Sequence, residues 1–375
     1  MITRKIESVI LESLVPGKVV ILLGARRTGK TVLLKKIVSM ISEPSIFFNG
    51  EDFEVQRLLE NRSVANYEKI LGTTKLLVID EAQKVPEIGK ILKLMIDSIP
   101  GLRIIVTGSS AFDLTGKLGE PLTGRNRTFR LFPLSGQELD PLYGITEKRA
   151  ALEERLVFGS YPEVISIDDR EAKVKYLKEL VNDYLLRDLL SFEGVKNAGV
   201  INNLLRLVAF QAGSEVSMSE LSSNLGIARN TVEKYLDLLS KVYVIFKVEG
   251  FSRNLRKEIT KNAKWYFYDN GIRNTLVANL NPLGLRNDTG SLWENFIISE
   301  RIKFQEYQNV LSNNFFWRTY DKQEIDWIEE RGGKLFAYEF KFNKEKAKFP
   351  IAFSEAYPES EFRVISANNY HEFVL

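Results

Sequence analysis

The sequence predicts an α/β protein whose N-terminal part is a parallel sheet covered by helices on both faces. Short apolar runs rich in β-branched residues alternate with segments of helical periodicity, which is typical of parallel strands joined by helical crossovers. A glycine-rich loop directly follows the first apolar run. Strands are predicted at 18–23, 45–49, 75–80, 103–110 and 128–134, and helices at 31–41 and 88–99.

Composition excludes several kinds of chemistry. The 375 residues include no cysteine and a single histidine, His371. Disulfides, thiolate metal sites, a cysteine nucleophile and a multi-histidine metal site are therefore ruled out, and a Ser-His-Asp triad is disfavoured. The 52 Lys and Arg residues against 49 Asp and Glu residues give a formal net charge of +3. This charge is too small to draw the whole chain to nucleic acid or to an anionic membrane.

The sequence also predicts a cytoplasmic protein with no membrane partner. No apolar segment is as long as a membrane span, and residues 1–14 have the pattern of an amphipathic helix rather than a signal peptide. Turn-rich segments divide the chain into three predicted domains, 1–145, 146–280 and 281–375. The first is the α/β domain, the second is mostly helical, and the third combines helices and strands.

Residues 24–31 read GARRTGKT, a complete match to the phosphate-binding pattern G-x-x-x-x-G-K-[ST]. The two glycines let the loop curl so that successive N–H groups point at phosphate oxygens, and the following helix adds its positive N-terminal end. Lys30 is expected to reach the β- and γ-phosphates, and Thr31 to ligate Mg²⁺. We predict an ATP and Mg²⁺ site, against the alternative of a glycine-rich turn with a surface lysine. The predicted nucleotide-binding residues of this loop are Gly24, Ala25, Arg26, Arg27, Thr28, Gly29, Lys30 and Thr31.

An acidic strand end provides the second half of this site. The run KLLVIDEAQ at 75–83 places Asp80 and Glu81 at the carboxyl end of a buried strand. Asp80 is predicted to hold Mg²⁺ through water, and Glu81 to polarise the attacking water as the catalytic acidic residue. The alternative is a solvated acidic pair that opens the next loop.

Two further segments are candidates for contacts to the γ-phosphate. Thr107 and Ser109 close the strand RIIVTGSS, and a polar residue there, Ser109 in our prediction, would lie between the phosphate loop and the catalytic acid. The alternative is that these hydroxyls only cap the strand. Arg125 and Arg127 in TGRNR offer guanidinium groups that suit phosphate charge, in cis or from a neighbouring copy of the chain. Arg125 is the predicted catalytic arginine. If it acts on the nucleotide of a neighbouring copy, the chain must self-associate. The alternative is that Arg125 only forms a surface salt bridge.

Together these segments resemble AAA-type ATPases of the prokaryotic group found in archaea and bacteria. The resemblance implies a P-loop AAA-type ATPase domain with ATPase activity. It also implies an adenine contact for Pro162 and a lid-sensor role for Arg187, for which a structural salt bridge is the alternative. The segments that carry the resemblance are GARRTGKT, VIDEAQ, VTGSSAF, LTGR and FPLSGQE, with GSYPEV at 159–164 and DYLLRDLL at 183–190.

Residues 217–248 resemble a winged helix-turn-helix. Ser217 or Ser219 can cap the first helix, Gly226 makes the turn, and residues 231–239 would be the recognition helix. The resemblance implies a DNA or RNA contact, or equally a lid and protein contact within the ATPase. The extended stretch that follows carries nearly unopposed basic residues that would contact phosphates. These are Arg253, Arg256, Lys257, Lys261 and Lys264.

The C-terminal segment resembles a domain of unknown function that accompanies this ATPase type, and this domain in turn resembles the PD-(D/E)xK nuclease fold. The matching residues are GSLWENFIISE, FFWRTYDKQEIDWI and LFAYEFKF. The resemblance maps the acidic metal-binding set onto Glu294, Asp326 and Glu339, with Lys341 as the catalytic lysine.

The residues support this mapping independently. Alternation in the last predicted strand puts Glu339 and Lys341 on one face, and Asp326 belongs to a neighbouring strand. Carboxylates so placed could bind a hard cation such as Mg²⁺ while Lys341 positions water. Two alternatives stay open, because Ser291-x-x-Glu294 is also a capping box and Glu339 with Lys341 could be a solvated ladder pair.

Two functions of different classes follow. The first is an ATP-regulated enzyme that binds or processes nucleic acid, with nuclease activity left open. The alternative is an ATP-driven conformational switch that binds a protein partner and keeps the nuclease-like domain as an inactive scaffold. Divalent-metal binding at Asp326 and Glu339 would separate the two.

Overall fold

The structure is a computed structural model that describes residues 2–108, 121–185, 198–252, 263–319, 321 and 323–375. Within these ranges the chain forms two compact units. The first extends to Phe132 and includes Lys241–Tyr243, and the second consists of Pro133–Ser240 and Val244–Leu375. The division into three domains stays a prediction. Most of the predicted second domain and all of the third lie in the second compact unit.

Parallel strands form the described sheet of the first unit. They are β1 (Val19–Leu23), β2 (Ser45–Asn49), β3 (Leu76–Asp80), β4 (Arg103–Gly108) and β5 (Asn126–Arg130). Their order is β2-β3-β4-β1-β5. Every residue of β1 and β3 is buried, as expected for central strands covered on both faces. β5 lies earlier than predicted, because the chain leaves the sheet before Pro133, which has no N–H for a ladder bond.

Helices precede or connect the strands of the first unit. They are α1 (Glu7–Ser13), α2 (Lys30–Met40), α3 (Phe53–Glu60), α4 (Val64–Leu71) and α5 (Ile88–Ser98). The side chain of Asp52 accepts a backbone N–H at the start of α3, and that of Ser63 does so at the start of α4. The apolar face predicted for α5 is confirmed, since Ile88, Ile91, Leu92 and Met95 are all buried.

Helices also make up most of the chain between residues 136 and 241. They are α6 (Gly136–Leu139), α7 (Lys148–Phe158), α8 (Pro162–Ser166), α9 (Arg170–Glu179), a π-helical segment (Leu180–Leu185), α10 (Ala198–Phe210), α11 (Met218–Leu225) and α12 (Arg229–Lys241). Gly159 ends α7 with a left-handed φ of 76°, which explains the predicted break in the helical pattern. In the described part of the chain, no helix has both the length and the apolar character that crossing a membrane requires.

Residues 198–267 follow the order helix, strand, helix, helix, strand, strand. Two of the strands, β7 (Ile245–Gly250) and β8 (Ala263–Phe267), follow α12, and the short β6 (Glu215–Val216) precedes α11. β8 pairs antiparallel with both β6 and β7. The predicted local features are confirmed, because Ser217 accepts the N–H of Glu220 at 3.3 Å and Gly226 makes the turn with a φ of 63°.

The remaining elements complete the second sheet. They are α13 (Asn270–Leu276), α14 (Thr289–Tyr307), β9 (Asn313–Arg318), β10 (Glu324–Arg331), β11 (Lys334–Phe340), α15 (Ile351–Ala356), β12 (Glu361–Ile365) and α16 (His371–Val374). β9, β10 and β11 are antiparallel neighbours, and β12 lies parallel to β11. Because β7 pairs with β9, one sheet of order β12-β11-β10-β9-β7-β8-β6 runs through the described part of this unit.

The strand β11 is packed on both faces. Leu335 and Ala337 join one apolar cluster with Phe353 of α15, whereas Tyr338 and Phe340 join a larger cluster on the opposite face. The predicted alternation of this strand is therefore confirmed. α14 has Asp288 as its N-cap, so Glu294 lies inside the helix and the capping-box alternative is wrong.

Candidate nucleotide site and acidic cluster

The loop between β1 and α2 has the shape that a phosphate cradle needs. A side chain at Gly24 would place its Cβ 2.2 Å from the carbonyl oxygen of Leu131, so only glycine lets the loop pass this point. Gly29 precedes α2 with a left-handed φ of 95°. The buried Arg4 braces the loop by donating to the carbonyl oxygens of Thr28 and Phe132, each at 2.7 Å. Sequence reasoning missed Arg4, because it lies outside the motif.

Lys30 and Thr31 occupy the first turn of α2. The Lys30 ammonium donates to the carbonyl oxygens of Gly24 and Ala25 at 2.8 and 2.9 Å. These acceptors belong to the loop itself, and they hold the ammonium against the backbone that would surround a phosphate. A phosphate oxygen would be a stronger partner than a neutral carbonyl, because a hydrogen bond between two charged groups is shorter and stronger.

A carboxylate and two hydroxyls connect the loop with the ends of β3 and β4. The Thr31 hydroxyl donates to Asp80 Oδ2 at 2.6 Å, and the Thr107 hydroxyl donates to Asp80 Oδ1. Thr107 also accepts the backbone N–H of Glu81 at 3.0 Å. β4 lies between β1 and β3, so Thr107 has the position that was predicted for a polar residue at this strand end. Ser109 lies outside the described residues.

Glu81 is held in an unusual backbone conformation directly after β3. Its φ is 50°, a left-handed value that costs a non-glycine residue free energy and is found disproportionately at functional sites. Its side chain accepts a hydrogen bond from the Gln83 amide at 2.5 Å. Gly50 leaves room for this turn, because a Cβ there would lie 2.5 Å from the Glu81 carbonyl oxygen. The turn therefore holds Glu81 beside Asp80 at the edge where the phosphate loop ends.

These donors fit a nucleotide with Mg²⁺. Thr31 and Asp80 present a hydroxyl and a carboxylate oxygen within 2.6 Å of each other, and hard cations such as Mg²⁺ prefer oxygen ligands. Glu81 follows Asp80 in the chain, so a water near the terminal phosphate would have a carboxylate within reach.

The other predicted nucleotide contacts have separate outcomes. Arg125 forms a salt bridge with Asp97 at 2.9 Å, and both side chains are about two-fifths exposed. This is the surface salt bridge that was the alternative to a catalytic role. Arg127 is exposed on β5. Pro162 is the first residue of α8 in the second unit, and its adenine contact stays a prediction. Arg187 lies outside the described residues.

A second group of ionisable side chains surrounds Lys264 in the second unit. Lys264 is 2% exposed, and its ammonium lies 2.6 Å from Glu324 Oε1 and 3.4 Å from Glu294 Oε1. The Tyr266 hydroxyl donates to the same Glu294 oxygen at 2.7 Å. The prediction that Lys264 belongs to an exposed basic patch is wrong, because its place in the buried strand β8 points it at these carboxylates. The other four residues of that patch lie outside the described residues.

Asp326 and Glu339 also belong to this cluster. Asp326 Oδ2 accepts the backbone N–H of Phe340 at 2.8 Å, which ties β10 to the end of β11. Glu339 pairs with Lys341 at 2.6 Å, and the Lys341 side chain is 44% exposed. The predicted acidic set is therefore drawn together around Asp326. Sequence reasoning missed Glu324 and Tyr266, and the lysine within the apolar run AKWYF was the signal that could have found them.

Burial dominates the protonation of this acidic cluster. It raises the pKa of Asp326 well above its ordinary value, and the neighbouring Glu294 and Glu339 raise it further. Burial likewise raises the pKa of Glu294, although Lys264 and the Tyr266 hydrogen bond oppose the shift. Burial disfavours the charged form of Lys264, but the surrounding carboxylates outweigh this effect and raise its pKa. The lysine thus stays a cation, and the raised pKa values of Glu294 and Asp326 mean that these two acids keep their protons to a higher pH than free carboxyl groups do.

The predicted metal site of Glu294, Asp326 and Glu339, with Lys341 beside it, stays a prediction. Among the residues described, no three carboxylate or histidine side chains form a group that could hold a metal ion. Each predicted ligand has another partner in this structure. Glu294 faces Lys264 and Tyr266, Asp326 accepts the N–H of Phe340, and Glu339 pairs with Lys341.

Asp326→Asn is expected to stabilise the second unit at pH 8. The raised pKa means that the folded unit binds a proton here more tightly than the unfolded chain does, so the contribution of Asp326 to stability falls as pH rises above about 4. Asparagine keeps an acceptor for the Phe340 N–H and carries no charge, and we expect a gain on the order of 1 kcal/mol. Urea unfolding followed by tryptophan fluorescence at pH 8 and pH 4 measures it. A variant that is less stable at pH 8 would contradict the expectation.

Three family models match consecutive parts of the chain. Residues 16–139 match an AAA domain, residues 149–288 match a domain of unknown function (DUF8612), and residues 289–372 match a domain of unknown function (DUF4143). The first match covers the loop, β3 and β4, which hold the candidate nucleotide site.

Relatives with similarity over most of the chain come from both bacteria and archaea. An uncharacterised protein of Mycobacterium tuberculosis is 26% identical over 331 residues, which cover 86% of this chain and 70% of that protein. An uncharacterised protein of Methanocaldococcus jannaschii is 27% identical over 334 residues, which cover 84% of this chain and 73% of that protein.

A solved structure shares the fold. The Walker-type ATPase of Pyrococcus abyssi superposes with a TM-score of 0.50 and 17% sequence identity, over 74% of this chain and 96% of that chain. This similarity, the AAA match and the geometry of the phosphate loop agree. Together they support an AAA-type P-loop ATPase domain at residues 16–139.

Proposed function

We propose that this protein binds ATP with Mg²⁺ in the loop of residues 24–31 and hydrolyses it. The observation that carries the proposal is the Asp80 carboxylate, which is shared by the hydroxyls of Thr31 and Thr107. Mg²⁺, when bound beside Thr31 and Asp80, would neutralise phosphate charge. Lys30 would hold the β- and γ-phosphates, and Glu81 would orient the attacking water and take its proton. The proposal retains the sequence-based roles of Ser109, Arg125 and Pro162.

Lys30→Ala is expected to weaken ATP binding by about 10- to 100-fold, because the phosphates lose a charge-assisted hydrogen bond. Isothermal titration calorimetry of the full chain with ATP and Mg²⁺ measures the change. Lys36→Ala is the matched control, since Lys36 lies on the same helix and pairs with Glu7 at 2.8 Å. Equal ATP affinity of the Lys30 variant and the control would remove the loop from nucleotide binding.

We further propose a winged helix over residues 198–267 that serves as a docking module. The order of its elements and the antiparallel pairing of β6, β8 and β7 support the fold. The exposed face of α12 supports docking over nucleic-acid binding, because its charges balance and phosphate binding needs an excess of cations. The charged residues of this face are Arg229, Glu233, Lys234 and Asp237.

For residues 289–374 we propose a nuclease-like fold that acts as a scaffold without cleaving nucleic acid. The succession of helix, three antiparallel strands, helix and a parallel fourth strand supports the fold. Lys264 supports the loss of cleavage, because a buried ammonium already neutralises the carboxylates that a metal would need. The function that we favour is therefore an ATP-driven switch that binds a protein partner. Salt-dependent binding and metal-dependent cleavage of DNA or RNA by the full chain would favour the nucleic-acid enzyme instead.

A further inference from the structure

A cavity of about 540 Å³ lies in the second unit, on the face of the sheet that α14 and α16 cover. Its size is within the range of small-molecule sites. None of the cavity's lining residues belongs to the acidic cluster or to the phosphate loop. The residues that line it and carry the argument are Arg331, Arg363, Phe304, Phe336 and Glu372.

The floor of this cavity is a saturated ion pair. Arg301 forms two hydrogen bonds with Glu329, at 2.5 and 2.8 Å, and both side chains are buried. Glu329 also accepts hydrogen bonds from Gln305 and from the Trp327 indole. Glu329 is shared by Arg301 and Arg331, so one carboxylate faces two guanidinium groups and positive charge remains in excess at the cavity.

Two arginines open towards the cavity with donors to spare. Arg331 contacts Glu329 through Nε at 3.2 Å and the Tyr338 hydroxyl through one terminal nitrogen at 3.4 Å, and its guanidinium lies 3.9 Å from the centre of the Phe336 ring. Arg363 is 64% exposed, and its one carboxylate contact is Glu361 at 3.5 Å. Arg363 neighbours Tyr338 across the parallel pair of β11 and β12. Guanidinium groups with unused N–H donors suit the oxygens of a phosphate.

The walls add features that a planar base would recognise. Phe304 and Phe336 are half-buried rings that each have an arginine guanidinium over the ring, and aromatic and guanidinium planes of this kind stack with nucleobases. The side chain of Glu372 in α16 is exposed, and within the described part of the chain its carboxylate makes no ion pair or hydrogen bond. A carboxylate accepts hydrogen bonds from exocyclic amino groups, as carboxylates do from cytosine N4.

We propose that this cavity binds a nucleoside 5′-phosphate, with Arg331 and Arg363 on the phosphate and Glu372 on an amino-bearing base. The site is separate from the ATP site in the first unit and does not depend on it. The same chemistry is present in a free nucleotide and at the phosphorylated end of a strand, so the experiment must distinguish these two sources.

Calorimetric titration of the full chain with GMP tests the proposal. We expect Arg363→Gln and Arg331→Gln each to weaken GMP binding by about tenfold or more, because each removes a charge-assisted contact. Arg318→Gln is the control, since Arg318 is a partly exposed arginine on β9 whose contact is Glu215. Lys30→Ala should leave GMP binding unchanged. Circular dichroism checks that both arginine variants are folded.

Two comparisons complete the test. UMP, which lacks an exocyclic amine, should bind about tenfold more weakly than GMP to the wild type, and Glu372→Gln should reduce this difference. If a 5′-phosphorylated oligonucleotide binds as GMP does and a 5′-hydroxyl oligonucleotide does not, the site accepts phosphorylated strand ends. If GMP binds and neither oligonucleotide does, the site takes free nucleotide. Loss of GMP binding in Lys30→Ala but in neither arginine variant would overturn the proposal, as would no GMP binding at all.

Discussion

Glu81→Gln is expected to lower ATP turnover by about 10²- to 10⁴-fold while ATP affinity stays within about twofold of the wild type. The substitution removes the carboxylate that would take the proton of the attacking water. It keeps the length of the side chain and an oxygen that can accept the Gln83 amide hydrogen bond. Phosphate release in steady state measures turnover, and calorimetry with ATP measures affinity.

A matched control variant separates the loss of the Glu81 carboxylate from other effects of the substitution. Glu81 has a left-handed φ of 50°, and glutamine, with the same unbranched side-chain shape, carries the same backbone strain as glutamate. Glu43→Gln is a matched control, because Glu43 is a half-exposed carboxylate of the same unit that pairs with Arg103. Turnover in Glu81→Gln equal to that of this control would assign water activation to another residue.

The nucleotide site could be predicted because its information is local. The spacing of Gly24, Gly29 and Lys30 fixes the loop, and the run before Asp80 identifies a buried strand whose end is polar. Parallel strands end at one edge, so two motifs separated by about fifty residues meet without further information. What the sequence could not supply is Arg4, whose two hydrogen bonds depend on where the N-terminal segment crosses the loop.

The acidic cluster shows the opposite case. Alternation along β11 and the position of Asp326 were sufficient to bring the carboxylates together, but the compensating cation comes from β8, far away in the sequence. The pairing of β7 with β9 brings β8 into the same sheet, and no local pattern announces that pairing. Lys264 was therefore assigned to a solvent-facing patch when its strand is in fact buried.

The same long-range placement explains why a metal site was predicted. Two buried carboxylates side by side repel each other, and a divalent cation is the usual remedy that a sequence suggests. A lysine can also compensate the repulsion between the carboxylates, with a single positive charge, if the fold places its ammonium beside them. The second unit contains this arrangement, and its energetic consequence can be measured directly.

Lys264→Met is expected to destabilise the second unit by about 3–5 kcal/mol at pH 8, because it leaves Glu294, Glu324 and Asp326 buried or half-buried without their cation. Methionine keeps most of the volume and the unbranched shape of lysine, so the loss reports charge rather than a cavity. All four tryptophans, at 265, 293, 317 and 327, belong to the second unit, so urea unfolding followed by tryptophan fluorescence reports this unit alone.

Three comparisons make the Lys264 prediction specific to the buried charge. Lys247→Met on the adjacent strand β7 should change stability by less than about 0.5 kcal/mol, because Lys247 is exposed and its pair with Glu249 is screened by water. Adding Glu324→Gln to Lys264→Met should restore part of the loss, since one uncompensated carboxylate is then removed. Lowering the pH towards 4 should also shrink the loss, because the raised pKa values of Glu294 and Asp326 let both acids become neutral in the folded unit. If Lys264→Met unfolds at the same urea concentration as Lys247→Met at pH 8, the ammonium does not compensate these carboxylates, and the scaffold interpretation loses its physical basis.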